Sequence, residues 1–289
     1  MKRDEFEVGR KKLLKFMRLS ENYKRPKSQW HPHPDKEKLL EITDEHEPYG
    51  YDPVFVTAEA KHKDAHALHS GGDIGDFYSK SRFPKVHAED FKSELRSVFL
   101  RLEWMATHWR TVYLTLGNHD PRPEKTLLAG VKEPELLVML SRTTLVERLA
   151  DFFDNIEVVG TRTANPDITL SHLWQYGDII FTHAERSLQQ RSALMEKLSQ
   201  QLYEKKGLYR LKPYRIIAQG HNHTATKISN GNHGETWFQM PSSADPFGIG
   251  MEYSHSAKMI GRAPCIGYTL FYQSNGETDI NRSNYFLVD

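Results

Sequence analysis

Val112-Tyr113-Leu114-Thr115-Leu116-Gly117-Asn118-His119-Asp120 is the stretch on which the reading of this chain turns. An apolar and β-branched run ends abruptly in a glycine and three side chains rich in donor atoms. A short run of that kind, bounded by glycine, reads as a buried strand. The glycine lets the backbone turn tightly, so that the side chains after it can point past the strand end. The same grammar recurs along the chain. Leu39–Thr43 leads into Asp44-Glu45-His46, and Ala65–Ser70 into Gly71-Gly72-Asp73-Ile74-Gly75-Asp76. Ile179–Thr182 leads into His183, and Ile216–Gln219 into Gly220-His221-Asn222-His223. In open α/β sheets ligands bind beyond the carboxyl ends of the strands, so five such ends can meet at one crevice.

The segments between these strands support that class. Val54–His62 and Ala88–His108 have helical character, and strand–helix alternation argues for an α/β sheet. Pro121–Phe153 and Glu185–Leu211 read as longer helical stretches, the second with a stripe of Leu188, Leu194, Met195, Leu198 and Leu202. After His223 the chain turns β-rich, at Thr224–Ser229, Glu235–Met240 and Ile266–Gln273, which suggests a closing antiparallel sheet. Residues 1–36 read as an extension to a domain spanning 37–289, with a basic helix over Asp4–Met17 and three prolines at Pro26, Pro32 and Pro34. Residues 1–40 hold twelve Lys or Arg against six Asp or Glu. A solvated arm accounts for that excess more simply than nucleic-acid binding does.

Composition narrows the classes. The 289 residues suffice for one large domain or two small ones, and the formal net charge of +1 exerts no global pull on nucleic acid or membrane. The apolar fraction of 38% and mean hydropathy of −0.65 point to an extensive, loop-rich surface. One cysteine, Cys265, rules out a disulfide within the chain. No run reaches the roughly 18 apolar residues of a membrane span, and no secretory signal is evident, so the expectation is a soluble cytoplasmic protein. Fifteen histidines make their placement the informative question.

The strand-end residues offer carboxylate oxygen, amide oxygen and imidazole nitrogen, a set suited to Mn, Fe, Zn or Mg rather than to a thiolate-seeking metal. Their specificity differs. Asp-x-His alone is usually surface decoration, Asp73 and Asp76 fit turn or helix-cap roles, and a lone His183 is usually structural. Gly-Asn-His-Asp and Gly-His-Asn-His have no routine structural job at a strand end, and the order of all five argues against coincidence.

In that order the motifs resemble the calcineurin-like metallophosphoesterases, over Leu39 to about Ile228, and the stretch Gly72–Phe83 resembles a branch often encoded by bacteriophages and prophages. The resemblance implies a four-layer α/β/β/α sandwich with a dinuclear centre. It assigns Asp44, His46, Asp73 and His223 to one divalent metal, and Asp73 as a bridge to a second held with Asn118, His183 and His221. Manganese is the first choice, with Fe, Zn, Mg or Ni as alternatives. His119 would face the substrate as acid or charge stabiliser, Asp120 would orient it, and Arg122 matches the spacing of a phosphate-contacting arginine. Asp76 would lie outside the ligand set. Two departures are present: Phe77 follows Asp76 where the protein-phosphatase branch has arginine, and Ala184 follows His183 where glycine is frequent. The first argues against protein phosphatase activity.

The activity so implied is hydrolysis of a phosphate ester by a hydroxide held between two metals, phosphodiesters being slightly favoured. A nuclease is an alternative, with Tyr78, Lys80, Arg82, Lys85 and Trp104 as candidates for a basic aromatic groove, though the same residues also read as ordinary surface and core. A non-catalytic scaffold is the other alternative, and the complete donor set argues against it. Chelation is expected to abolish hydrolysis of aryl phosphates and added Mn²⁺ to restore it. An undiminished rate in fully chelated protein contradicts the reading.

Overall fold

The computed structural model describes residues 37–81, 90–128, 143–162, 170–184, 191–229, 231, 233–245 and 265–289. The expected arm of residues 1–36, together with Arg82, Phe83, Lys85 and Leu188, lies outside them.

Strand β1 (Glu37–Ile42) shows how the layers arise. A strand sends alternate side chains to opposite faces. Leu40 and Ile42 pack under the helices α1 (Asp52–His62), α2 (Phe91–His108) and α4 (Leu145–Ala150), while Leu39 packs towards a second sheet. An apolar run buried on both faces has this outcome. In the first sheet β1 pairs in parallel with β2 (Ala67–Ser70), β2 with β3 (Val112–Leu114), and β3 with β4 (Ile156–Val158). On the other side of β1 lies β11 (Gly267–Ser274), antiparallel, carrying β12 (Glu277–Thr278) and β13 (Asn284–Leu287). Helix α3 (Arg122–Leu128) follows the Gly117–Asp120 loop.

The second sheet has the order β5 (Thr161–Arg162), β6 (Leu170–Tyr176), β7 (Ile179–Ala184), β8 (Ile216–Gly220), β10 (Thr236–Gln239), β9 (Thr226–Ile228). Its inner face contributes Ile179, Phe181, Ile216, Ala218 and Phe238 to the core between the sheets. Its outer face, with Ile180, Ile217 and Trp237, is covered by Met195, Leu198 and Leu202 of α5 (Arg191–Glu204). The layers are therefore helix, sheet, sheet, helix, the α/β sandwich expected.

Two expectations change. Within Pro121–Phe153 the described residues form two short helices, α3 and α4, and the second begins at a capping box of Thr144 and Glu147. The C-terminal strands do not close a sheet of their own: β10 runs parallel to β8 in the second sheet, while β11 joins the first. Trp104, offered for a nucleic-acid groove, packs against Phe55 and Trp109 at ring distances of 5.4 and 5.1 Å in the helix layer. No described helix is long and apolar enough to cross a membrane.

Phe99 lies fully buried where α2 meets Phe152 and Phe153. Phe99→Ala is expected to cost about 3–5 kcal/mol of stability, through lost burial and the cavity left behind. Urea unfolding measures this, and a loss under 1 kcal/mol contradicts the packing described.

Candidate metal centre

All five motifs reach one end of the sandwich, three from the first sheet and two from the second. Backbone hydrogen bonds tie the first two loops together: Asp44 N–H donates to Gly72 O at 3.0 Å, His46 N–H to Asp73 O at 2.8 Å and Glu47 N–H to Ile74 O at 2.8 Å. The loops are held in costly geometry. Asp44, His46, Asp73, His221 and His223 all have positive φ, between 51° and 87°. Non-glycine residues rarely adopt that region, and such strain gathers at functional sites. Gly72 has φ +99°, and a Cβ on it would meet Gly117 N at 2.7 Å, so close contact between the second and third loops requires glycine here.

The side chains converge in three overlapping groups: Asp44, His46 and His223; His46, Asp73 and His119; Asp73, His183 and His221. In each, one donor atom per residue lies within 4.8 Å of the others. His46 Nε2 faces His223 Nε2 at 3.3 Å, and His223 Nε2 lies 3.3 Å from Asp44 Oδ1. His183 Nε2 is 3.0 Å from Asp73 Oδ2. One terminal atom of the Asn118 amide lies 3.0 Å from His221 Nδ1, 3.1 Å from Asp73 Oδ2 and 3.3 Å from His183 Nε2. With nitrogen there the amide donates to its neighbours; with oxygen there it completes a donor set for a cation.

Ring tautomers agree with that use. His183 Nδ1 donates to Gly71 O at 3.0 Å, which leaves Nε2 turned to the carboxylates without a proton of its own in the neutral ring. One oxygen of Asp76, Oδ1, lies 3.0 Å from His46 Nδ1 and 2.8 Å from His119 Nδ1. A carboxylate accepts, so both rings carry their proton at Nδ1 and expose Nε2. Orientation of metal-binding imidazoles by a carboxylate at the far nitrogen is a general device.

The electrostatics express the same convergence. Burial would raise Asp44, but His223 and His183 hold it well below the usual carboxylate range. Burial likewise opposes ionisation of Asp73, yet His119 and His183 keep it low. His183, despite burial, is pushed up to about 10 by Asp73 and Asp44. His221 is pushed down to about 3, by burial and then by His183. Two ionised, fully buried carboxylates demand positive charge, and the mixed O/N donor set fits a divalent cation that supplies it.

The residues around His119 depart from expectation. Asp120 does not present its carboxylate to the ring. Its Oδ2 accepts from Gly117 N at 2.7 Å and Asp73 N at 2.9 Å, and its Oδ1 accepts from Gly75 N at 3.2 Å. Asp120 thus clamps the second loop to the third, and burial with the charge of Asp73 pushes it up to about 7. The carboxylate on the ring is that of Asp76. Arg122 Nη1 donates to Asp76 O at 2.7 Å, and Nη2 meets His119 Nε2 at 2.8 Å. Burial lowers His119 to about 4, with Arg122 adding to the effect against Asp73, so the ring is neutral at pH 7.

Sequence reasoning placed Asp76 outside the ligand set without naming the two rings it touches. It missed Ser242 and Ser243, whose hydroxyls donate to Asp44 O at 2.9 Å and Thr43 O at 3.0 Å. No motif marks them, because any hydroxyl at that place in the fold could serve. It also missed Glu45, buried beside the first loop with Ser70 Oγ donating to it at 2.7 Å and pushed up to about 8 by burial.

Asp76→Ala removes the acceptor for both rings. Metal content and turnover are expected to fall together by about 10–100-fold, the usual penalty for losing such an orienting partner. Retention of both at native levels contradicts the assignment.

No family model matches the sequence, and no curated protein matches it. The chain is similar to a solved metallophosphoesterase from Sphaerobacter thermophilus, 11% identical over 88% of this chain and 89% of that one, at a TM-score of 0.42. It is similar to Vps29 from Entamoeba histolytica, solved with zinc, at 13% identity over 87% and 98% of the two chains and a TM-score of 0.39. An archaeal phosphodiesterase is 12% identical over 86% and 99%, with a TM-score of 0.35.

Proposed function

We propose that this protein is a dinuclear metal-dependent hydrolase of phosphate esters. The observation that carries the reading is the position of Asp73, whose carboxylate stands between the Asp44–His46–His223 side and the Asn118–His183–His221 side of the cluster. Asp44, His46, Asp73 and His223 would hold one ion, and Asp73, Asn118, His183 and His221 the other, with manganese the first choice. When bound, such a pair activates water as a nucleophile and neutralises charge on the phosphoryl oxygens.

The chain's own part lies with Arg122, His119 and Asp76. Arg122 is a part-buried cation beside His119 and Asp76, and its guanidinium suits bidentate contact with phosphoryl oxygen. In its present place one N–H points at His119 Nε2, so that nitrogen accepts rather than donates. A substrate phosphate that draws Arg122 outward frees Nε2. His119 then gains a proton from solvent at Nε2, with Asp76 keeping Nδ1 protonated and the ring fixed, and the imidazolium either passes the Nε2 proton to the leaving oxygen or stabilises its charge.

His119→Ala is expected to cost about 10²–10⁴-fold in rate, the usual contribution of a general acid, with both metals retained. The loss should be smaller for nitrophenolate than for an alkyl leaving group, which departs only with a proton. Turnover on bis-aryl and mono-aryl phosphates, measured alongside metal content, checks this and tests the preference for diesters. Loss of a metal makes His119 a ligand. Absence of hydrolysis in the fully metal-loaded unaltered chain contradicts the enzymatic reading and favours a scaffold.

A further inference from the structure

Two buried histidines outside the five motifs grip the strand that feeds the Gly117–Asp120 loop. His69, on β2, places Nε2 3.2 Å from Thr115 Oγ1. His172, on β6 of the other sheet, accepts from Leu116 N–H at 2.5 Å through Nδ1. The two residues immediately before Gly117 are therefore held from both sheets. Beneath them, Glu41 of β1 contacts His69 Nδ1 through Oε2. The other oxygen of Glu41 lies against Gly71, where an added Cβ would meet it at 2.2 Å. Gly71 O in turn accepts from His183 Nδ1.

The protons in this network can be placed. Ser70 O can only accept, so Thr115 Oγ1, 3.3 Å away, gives it its proton. His69 must then donate from Nε2 to the Thr115 oxygen. Two bare acceptors cannot touch, so one more proton lies between His69 Nδ1 and Glu41 Oε2. It belongs to Glu41 or to His69. Both side chains are fully buried, and among the described residues Glu41 Oε1 has no hydrogen-bond partner. An ionised carboxylate would leave that oxygen charged and uncompensated in the core, whereas the oxygen of a neutral acid costs far less. For His172, a ring nitrogen accepting from a backbone N–H carries no proton, so that ring is also not an imidazolium.

We propose that Glu41, His69 and His172 are positioning residues of the metal centre: an uncharged Glu41–His69 pair sharing one proton, and a neutral His172, fix where the Gly71 and Gly117 loops begin. The role rests on reading the cluster as a metal site. Burial and the neighbouring carboxylates push Glu41 up, while burial pushes His69 down, and both directions favour the neutral pair. The arrangement puts no additional net charge beneath Asp44 and Asp73.

The test combines a spectroscopic signature with rescue by an isostere, using the full chain. Nitrogen-15 spectra should show His69 as the neutral Nε2–H tautomer and His172 as neutral with bare Nδ1. In Glu41→Gln the amide donates to His69 Nδ1 as the acid does, so Mn²⁺ affinity and turnover should stay within about threefold of the unaltered chain. Glu41→Ala should lose about 10–100-fold in both. An imidazolium signal for His69 overturns the neutral pair, and so does a Glu41→Gln penalty as large as that of Glu41→Ala. Native Mn²⁺ affinity and turnover in Glu41→Ala overturn the positioning role. Failure of the unaltered chain to bind any of Mn²⁺, Fe²⁺, Zn²⁺, Mg²⁺ and Ni²⁺ sinks the metal-centre reading, and the positioning role with it, whatever the spectra show.

Discussion

The buried carboxylate of Asp73 constrains everything near it. It accepts from the backbone N–H of His119 at 2.7 Å, faces His183 Nε2 and neighbours Asn118, so three loops are defined by their relation to one side chain. A fully buried charge is tolerated only when paired and hydrogen-bonded. The fold meets that demand by bringing strand ends from both sheets to one rim. The two-sheet architecture is what allows it: β2 and β3 bring Asp73 and Asn118 from one layer, while β7 and β8 bring His183 and His221 from the other.

Carboxylates then divide the remaining work by what they touch. Asp120 accepts three backbone N–H groups and so fixes the chain rather than a ring. Asp76 fixes two rings with one oxygen. The aspartate adjacent in sequence to His119 is thus not the one that acts on it. In a tight turn, successive side chains diverge, and the turn sends Asp120 inward to the backbone.

Much of the fold was legible because the strands are apolar on both faces. Leu39–Thr43, Val112–Leu116 and Ile216–Gln219 announce themselves by composition, and their termini by glycine and donor-rich side chains. Strand partners were not legible. Nothing in Glu235–Met240 or Ile266–Gln273 states which sheet each joins, since alternation reports burial and not neighbours. Of the cluster, the residues that converge were readable from motif order. The residues that set tautomers and protons were not: Asp76 was placed outside the ligand set without its partners, and Glu41 and His69 were polar positions inside largely apolar strands. A lone buried polar residue in such a run is a signal in itself, because it obliges a partner.

The left-handed backbone at Asp44, His46, Asp73, His221 and His223 has a consequence for how this protein can change. Each such residue is disfavoured by on the order of 1–2 kcal/mol relative to glycine. Glycine at any of the five would therefore relieve the backbone while deleting a side chain from the cluster. Selection for thermal robustness alone would drift towards those glycines, and the five have to be kept by selection on something other than folding. Stability and chemistry pull in opposite directions at the same five positions, so a stabilised descendant that keeps all five must gain its stability elsewhere, in the helix layers or between the sheets.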